Sequence, residues 1–307
     1  MTVKVKRILA ATDLSSGSAL AVDRGFLLAR SLGAQYTVIH AIDMDSFTPL
    51  RELFGAKADA VGDSIVNAAT EQLKESVSES LTKGNLEADL RIENGDAAAV
   101  ITHFAENTDT DLVVLGAHGS GFLQRMLIGS TASRLLRKSK RPVLVVKQEP
   151  HRNYKRVLLA IDFSPASEYA IQLVRELVPA AHIVLLHTFD VPLQGQLRYA
   201  GVDEDFIEQF RAEAQTRATH KLRDLAAAAG LSPMNHSEIV AYGDATRNII
   251  EYEEKMRCDL IVLGKHGTHV TEELLFGSTT KRVLAESNSD VLVVVDERQP
   301  KTASITP

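Results

Sequence analysis

Short apolar runs alternate along the chain with longer stretches in which apolar residues recur every three or four positions, and the whole alternation occurs twice. Ile8-Leu9-Ala10-Ala11 reads as a strand closed by Thr12-Asp13. Leu14-Ser15-Ser16 then offers an N-cap to a helix over residues 17–32, stopped by Gly33. Residues 36–42 read as a buried strand, 43–60 as a looser stretch, and a long helical pattern runs on to residue 83. Strands follow at 88–92, 111–115 and 143–147, separated by helices over 97–106, capped by Gly95-Asp96, and over 131–137. The second pass places strands at 157–161, 182–187, 238–241, 260–263 and 291–295. Its helices begin at Ser164-Pro165, span 203–229, and run from Gly243-Asp244 to about residue 255. Strands apolar on both faces, alternating with helices, predict the α/β class: two tandem open five-stranded parallel sheets with helices on both faces.

The repeat is sharpest around two glycine loops. Gly116-Ala117-His118-Gly119 leads on to Gly129-Ser130-Thr131, and 148 residues later Gly264-Lys265-His266-Gly267 leads on to Gly277-Ser278-Thr279. Between residues 111–146 and 259–294, 18 of 36 positions are identical, which makes the chain a tandem duplication. Each loop follows an apolar strand and opens into a helix. Glycines let backbone N–H groups approach an anion, and a helix N-terminus adds unpaired donors and the positive end of its dipole. In an open parallel sheet a ligand sits at the carboxyl ends of the strands, where the strand order reverses. The plainer reading is that the glycines only make tight turns and that Ser130 and Ser278 only cap helices.

The 307 residues suit two domains of about 150 each: a first module over 1–149, a linker over 150–154, a second module over 155–296, and a disordered tail over 297–307. A net charge of −6 argues against nucleic acid and acidic membranes as partners. No apolar run approaches the ~20 residues that span a bilayer. With no apolar leader ahead of the first strand, the expected location is the cytoplasm. Cys258 is the sole cysteine, so an intrachain disulfide is excluded, and its neighbourhood predicts an inert thiol. His266 and His269 stand three apart with no further ligand nearby in sequence, so no metal site is expected. His40 and His187, closing the second strand of each half, are expected to be packed and hydrogen-bonded.

The spacing G-x2-G-x9-G-[S/T], after the fourth strand of a unit whose first strand ends in Asp, resembles the universal stress protein family in its tandem form. The resemblance covers nearly the whole chain. It implies a strand order of 3-2-1-4-5 in each module and a pocket for ATP or a related adenine nucleotide. By that resemblance Gly119, Gly129, Ser130 and Thr131 would hold phosphates, and Gly116 would admit the ribose. Ala11, Asp13 and Ala41 would border the base, with His118 and Arg125 as further contacts in the loop. The second-module counterparts are Gly267, Gly277, Ser278 and Thr279, then Gly264, then Ala160, Asp162 and Thr188, with His266 in the loop. Where the family often carries Arg after the second glycine, this chain has Ser120 and Thr268.

Three functional readings stay open on the residues. The leading one is a nucleotide-responsive regulatory module with unidentified protein partners. The second is a weak ATPase or self-phosphorylating protein, with Mg²⁺ held by Asp13 or Asp162 through phosphate. The third is a nucleotide-free scaffold. The P-loop lysine is missing, so nothing predicts fast turnover. Arg125 aligns with Glu273 and Gln124 with Glu272, charges worth on the order of 1 kcal/mol beside a triphosphate, so the first module should bind more tightly. The resemblance also implies pairing through the fifth strands, here within one chain and with pseudo-two-fold symmetry; a homodimer is open as well.

Overall fold

The computed structural model describes residues 3–44, 56–84, 86–117, 128–191, 196, 199–265 and 277–295. Module one contributes β1 (Arg7–Thr12), α1 (Ser16–Leu32), β2 (Gln35–Ile42), α2 (Ala56–Gly84), β3 (Ala88–Asn94), α3 (Ala97–Asn107), β4 (Leu112–Gly116), α4 (Ser130–Lys138) and β5 (Val143–Val146). Module two repeats them as β6 (Arg156–Ile161), α5 (Pro165–Leu177), β7 (His182–Phe189), α6 (Glu204–Ala228), β8 (His236–Tyr242), α7 (Ala245–Met256), β9 (Leu260–Gly264), α8 (Ser278–Glu286) and β10 (Asp290–Val294). The capping residues read from the sequence act as expected at several ends. Ser15 accepts from the Ser18 N–H at the start of α1, and Gly33 ends it at φ 63°. Asp96 and Asp244 cap α3 and α7 by accepting from Ala99 and Arg247.

The strands lie in the order β3-β2-β1-β4-β5-β10-β9-β6-β7-β8. Each module therefore has the order 3-2-1-4-5, and the two five-stranded sheets join edge to edge into one. Every pairing is parallel except β5 with β10, which is antiparallel. There Val143 faces Val293, Leu144 faces Leu292 and Val145 faces Val291. These residues are copies of one another at an offset of 148, so the pairing maps onto itself about an axis between Leu144 and Leu292. That is the expected meeting of the fifth strands with pseudo-two-fold symmetry, and it removes two exposed apolar edges.

Side-chain alternation along each strand feeds two cores, one on each face of the sheet. Leu144, Val146, Leu292 and Val294 join α1, α2, α5 and α6 on one face. Val143, Val145, Val291 and Val293 join α3, α4, α7 and α8 on the other. Both cores run through the junction. All four residues of β5 and all five of β10 are buried, at about 1.5–3 kcal/mol for each fully covered Val or Leu.

The symmetry breaks at the ends of β5 and β10. Where module one has Pro142, module two has Asp290, which is fully buried. Its Oδ1 accepts from the backbone N–H of Lys147 (2.7 Å) and Gln148 (3.0 Å). Its Oδ2 accepts from the Tyr154 hydroxyl (2.5 Å) and lies 3.2 Å from Arg24 Nε. That Arg24 N–H is not aimed at the carboxylate, so the pair is an ionic contact rather than a linear hydrogen bond. The guanidinium stacks 4.1 Å over the Tyr154 ring and donates to Arg152 O at 2.7 Å. Tyr154, which the sequence reading put in the connecting stretch, is buried and joins the two modules.

Candidate functional site

β1 and β4 lie side by side with Ala11 paired to Leu115. Beyond them the chain leaves to opposite faces of the sheet, into α1 from β1 and toward α4 from β4. This is where the strand order reverses, and the divergence opens a crevice at the carboxyl ends. Asp13 stands at its mouth, exposed. Its Oδ1 accepts from the Ser15 N–H at 3.1 Å and from the Ser15 hydroxyl. That turn holds Leu14 at φ 64°, a left-handed conformation uncommon outside glycine. The hydroxyls of Thr12 and Ser18 bond at 2.9 Å beneath it. Gly116, at the end of β4, is required by its own fold: a Cβ there would lie 2.8 Å from Gly17 O. The close approach that sequence reasoning reserved for a ribose is made by the first turn of α1.

The other side of the strand-order reversal is built by α4. Its N-cap is Gly129, at φ −54° and ψ 150°, with no side-chain cap. Ser130 and Ser278 are each the first helical residue of their helix, not the capping residue, so the plain capping role does not describe them. Gly129 does not offer its own N–H, which donates to Ala117 O at 2.9 Å. Among the described residues the first turn of α4 thus begins without a side-chain acceptor, at the positive end of its dipole. Arg134 on the same helix is held by Asp96 at 2.6 Å, and that arginine together with the Ala99 N–H keeps the carboxyl below its usual range.

Module two repeats the plan with substitutions. Asp162 Oδ1 accepts from the Ser164 N–H (3.0 Å) and from the hydroxyls of Ser164 and Ser167, the latter at 2.8 Å. Ser167 turns to Asp162 because Ile161 replaces Thr12. Phe163 takes the left-handed conformation of Leu14, at φ 61°, and its ring lies 4.4 Å from that of His187. His187 donates through Nδ1 to Ile161 O, as His40 does to Thr12 O, both at 2.8 Å. Burial pushes the His187 pKa down, which keeps the ring neutral. The α8 N-cap is Gly277, again without a side-chain cap, and it donates to Lys265 O at 3.0 Å. Thr280 Oγ1 closes on Gly264 O at 3.0 Å, where module one has Ala132.

The topology therefore brings Ala11, Asp13, Gly116, Gly129, Ser130 and Thr131 to one crevice, with half-buried Ala41 at the end of neighbouring β2. Ala160, Asp162, Gly264, Gly277, Ser278 and Thr279 gather likewise in module two, with Thr188 on β7. His118, Gly119, Ser120, Gln124 and Arg125 lie outside the described residues, as do His266, Gly267, Thr268, His269, Glu272, Glu273 and the tail. Cys258 is buried and its thiol pKa is pushed up to about 12, as its inert reading requires. Sequence reasoning missed Arg24, Lys147, Lys265 and Asp290. Aligning the two halves would have flagged three of them, because Lys265 replaces Ala117, Asp290 replaces Pro142 and Lys147 stands where module two has Val295.

Comparison with known proteins agrees with this architecture. The universal stress protein family matches twice, over residues 4–147 and 153–295, so the chain belongs to that family in a two-module form. Universal stress protein Rv2005c of Mycobacterium tuberculosis is 26% identical over 268 residues, covering 84% of this chain and 86% of that protein. Universal stress protein MJ0577 of Methanocaldococcus jannaschii is 28% identical over 154 residues, covering 46% of this chain and 94% of that protein. A crystal structure of a universal stress protein from Archaeoglobus fulgidus shares the fold, with a TM-score of 0.71 at 20% identity, over 94% of this chain and 98% of that one. Among the described residues no helix is long and apolar enough to cross a membrane.

Proposed function

We propose that the chain is a stress-response protein of the cytoplasm that binds an adenine nucleotide, ATP or a close relative, in the β1/β4 crevice of module one. Its phosphates would lie against the first turn of α4. Occupancy would order the glycine loop and so alter a surface read by protein partners. The observation that carries this reading is the glycine N-cap of α4 at the strand-order reversal, because a helix whose first N–H groups lack a side-chain acceptor among the described residues there attracts an anion. Ser130 and Thr131 would add hydroxyl donors. Asp13, whose Oδ1 already holds its own turn, would shape the base end and could meet Mg²⁺ only through phosphate. Module two would bind more weakly, because Glu272 and Glu273 replace Gln124 and Arg125.

Mass spectrometry of small molecules released on denaturing the purified protein tests the ligand class. Calorimetry with ATP then separates the modules: Gly129→Ala/Ser130→Ala should weaken the tighter site, and Gly277→Ala/Ser278→Ala should leave it in place. A backbone cradle also predicts that Gly119→Val abolishes binding while Arg125→Ala loses at most about 1 kcal/mol. The reverse outcome would assign the site to a point charge.

A further inference from the structure

Each phosphate-end helix is closed at its far end by a lysine from the other module. Lys265, the residue after β9, is buried at 5% exposure. Its Nζ donates to Arg137 O at 2.7 Å and Ser139 O at 3.0 Å, at the C-terminus of α4 in module one. Lys147, the residue after β5, donates through Nζ to Ser287 O at 2.7 Å and Ser287 Oγ at 2.8 Å, at the C-terminus of α8 in module two. The serines are copies of one another, but the lysines are not. Lys265 stands where module one has Ala117, and Lys147 where module two has Val295. Each ammonium meets the carbonyls that a helix leaves unpaired, at the negative end of its dipole.

The backbone of Lys265 makes this more than a cap. Its carbonyl accepts from the Gly277 N–H, which begins α8, and its own N–H donates to Val294 O at 2.8 Å. One residue therefore holds the start of the phosphate helix in its own module and the end of the phosphate helix in the other. The return route is longer: Ala117 N–H bonds Val146 O at 2.9 Å, and Lys147 follows Val146 in sequence.

We propose that Lys265 is a positioning residue for the phosphate site of module one, and that through it an anion held at the start of α8 in module two biases module one. This rests on the nucleotide reading above. An anion that draws the Gly277 start of α8 toward itself pulls on Lys265, whose carbonyl accepts the Gly277 N–H. Because α4 is short and its last carbonyls are fixed by that ammonium, its first turn shifts too. The route from the start of α8 to α4 is direct, through Lys265, and the route from the start of α4 to α8 is relayed through Ala117, Val146 and Lys147.

The test is hydrogen exchange on the full chain, with and without ATP, for the parent, Lys265→Met and Lys265→Arg. Protection is read separately over residues 130–138 and 278–286. Lys265→Met should speed exchange in α4 without ligand. It should also raise the ATP concentration needed to protect α4 by about fivefold to tenfold, as loss of a buried charge at a helix terminus implies. Lys265→Arg should restore most of both. A general loss of stability would instead move both helices together, and that result overturns the proposal. So does a Lys265→Met chain whose α4 responds to ATP within twofold of the parent. If ATP protects neither helix in the parent, the nucleotide reading falls and the coupling with it, and the ligand-free exchange of α4 still separates that failure from a failure of the lysine clamp.

Discussion

Asp290→Asn is the sharpest probe of how the two halves hold together. The carboxylate is fully buried, takes two backbone N–H groups on one oxygen, and meets the Tyr154 hydroxyl and the Arg24 guanidinium on the other. Asparagine keeps the shape and can still accept the two backbone donors through its oxygen. Its amide then faces the Arg24 guanidinium donor against donor, the Tyr154 hydroxyl must give up its carboxylate acceptor, and Arg24 is left charged at 3% exposure. Breaking a buried pair from one side destabilises by about 3–5 kcal/mol. Arg24 keeps the Arg152 carbonyl and the Tyr154 ring face, and its contact to Asp290 was never a linear hydrogen bond, so the lower end, about 3 kcal/mol, is expected. Urea unfolding followed by circular dichroism measures this. Arg24→Met in the same chain removes the stranded charge, so the double variant should be less damaged than the sum of the singles, by more than about 1 kcal/mol. If Asp290→Asn loses under about 1 kcal/mol, or the two changes add within about 0.5 kcal/mol, the cluster is not a coupled unit.

Gly116→Ala should lower stability by about 1–3 kcal/mol, because the added Cβ meets the Gly17 carbonyl at 2.8 Å and the Ser18 Cα at 3.2 Å, both backbone; an unchanged melting temperature would reject that contact. Burial lowers the Lys147 pKa from 10.5 to about 8, so above pH 8 the unfolded chain holds more protons than the folded one, and stability should rise with pH toward 10.5. Cys258 opposes this above pH 9, since its folded pKa is pushed from 9.0 up to about 12 and the unfolded chain loses that proton first. The net gain therefore falls between pH 8 and 9, with a slope of at most about 1.4 kcal/mol per pH unit, and parallel urea midpoints for parent and Lys147→Met across that window would refute it. Cys258 should resist a maleimide at pH 8 in the folded chain and react readily in urea; rapid labelling without denaturant would show that its strand end opens.

Much of the architecture was legible before any coordinates. Strands apolar on both faces, a helix stop at Gly33, and caps at Ser15, Asp96 and Asp244 are local signals, set by side-chain period and backbone sterics, and they hold wherever the segment goes. The duplication located both crevices, because a repeated strand–glycine–helix unit reproduces its own geometry. Side-chain chemistry at the crevice was read less well. Ser130 looked like a cap, yet the chain turns one residue earlier, at Gly129. Resemblance put Asp13 at the border of a base, and the structure adds that its Oδ1 holds its own turn. Resemblance gave Gly116 as room for a ribose, and the structure adds that the Gly17 carbonyl by itself requires a glycine there. Each of these was decided by a neighbour close in space, which one-dimensional spacing does not report.

The junction belongs to the tertiary structure alone. The apolar β5 and β10 marked an edge that needed a partner, and their pairing follows from sequence reasoning. That Arg24 and Tyr154 meet Asp290, and that Lys147 and Lys265 cap helices of the opposite module, does not. Those contacts lie 128 or more residues apart in sequence, join positions that are not copies of one another, and exist only because one chain carries both halves. Duplication gives two identical edges and hence a symmetric strand pairing. Once the edges share a chain, each side can diverge alone, so a proline can become an aspartate and an alanine a lysine wherever the opposite face supplies the complementary charge or carbonyl.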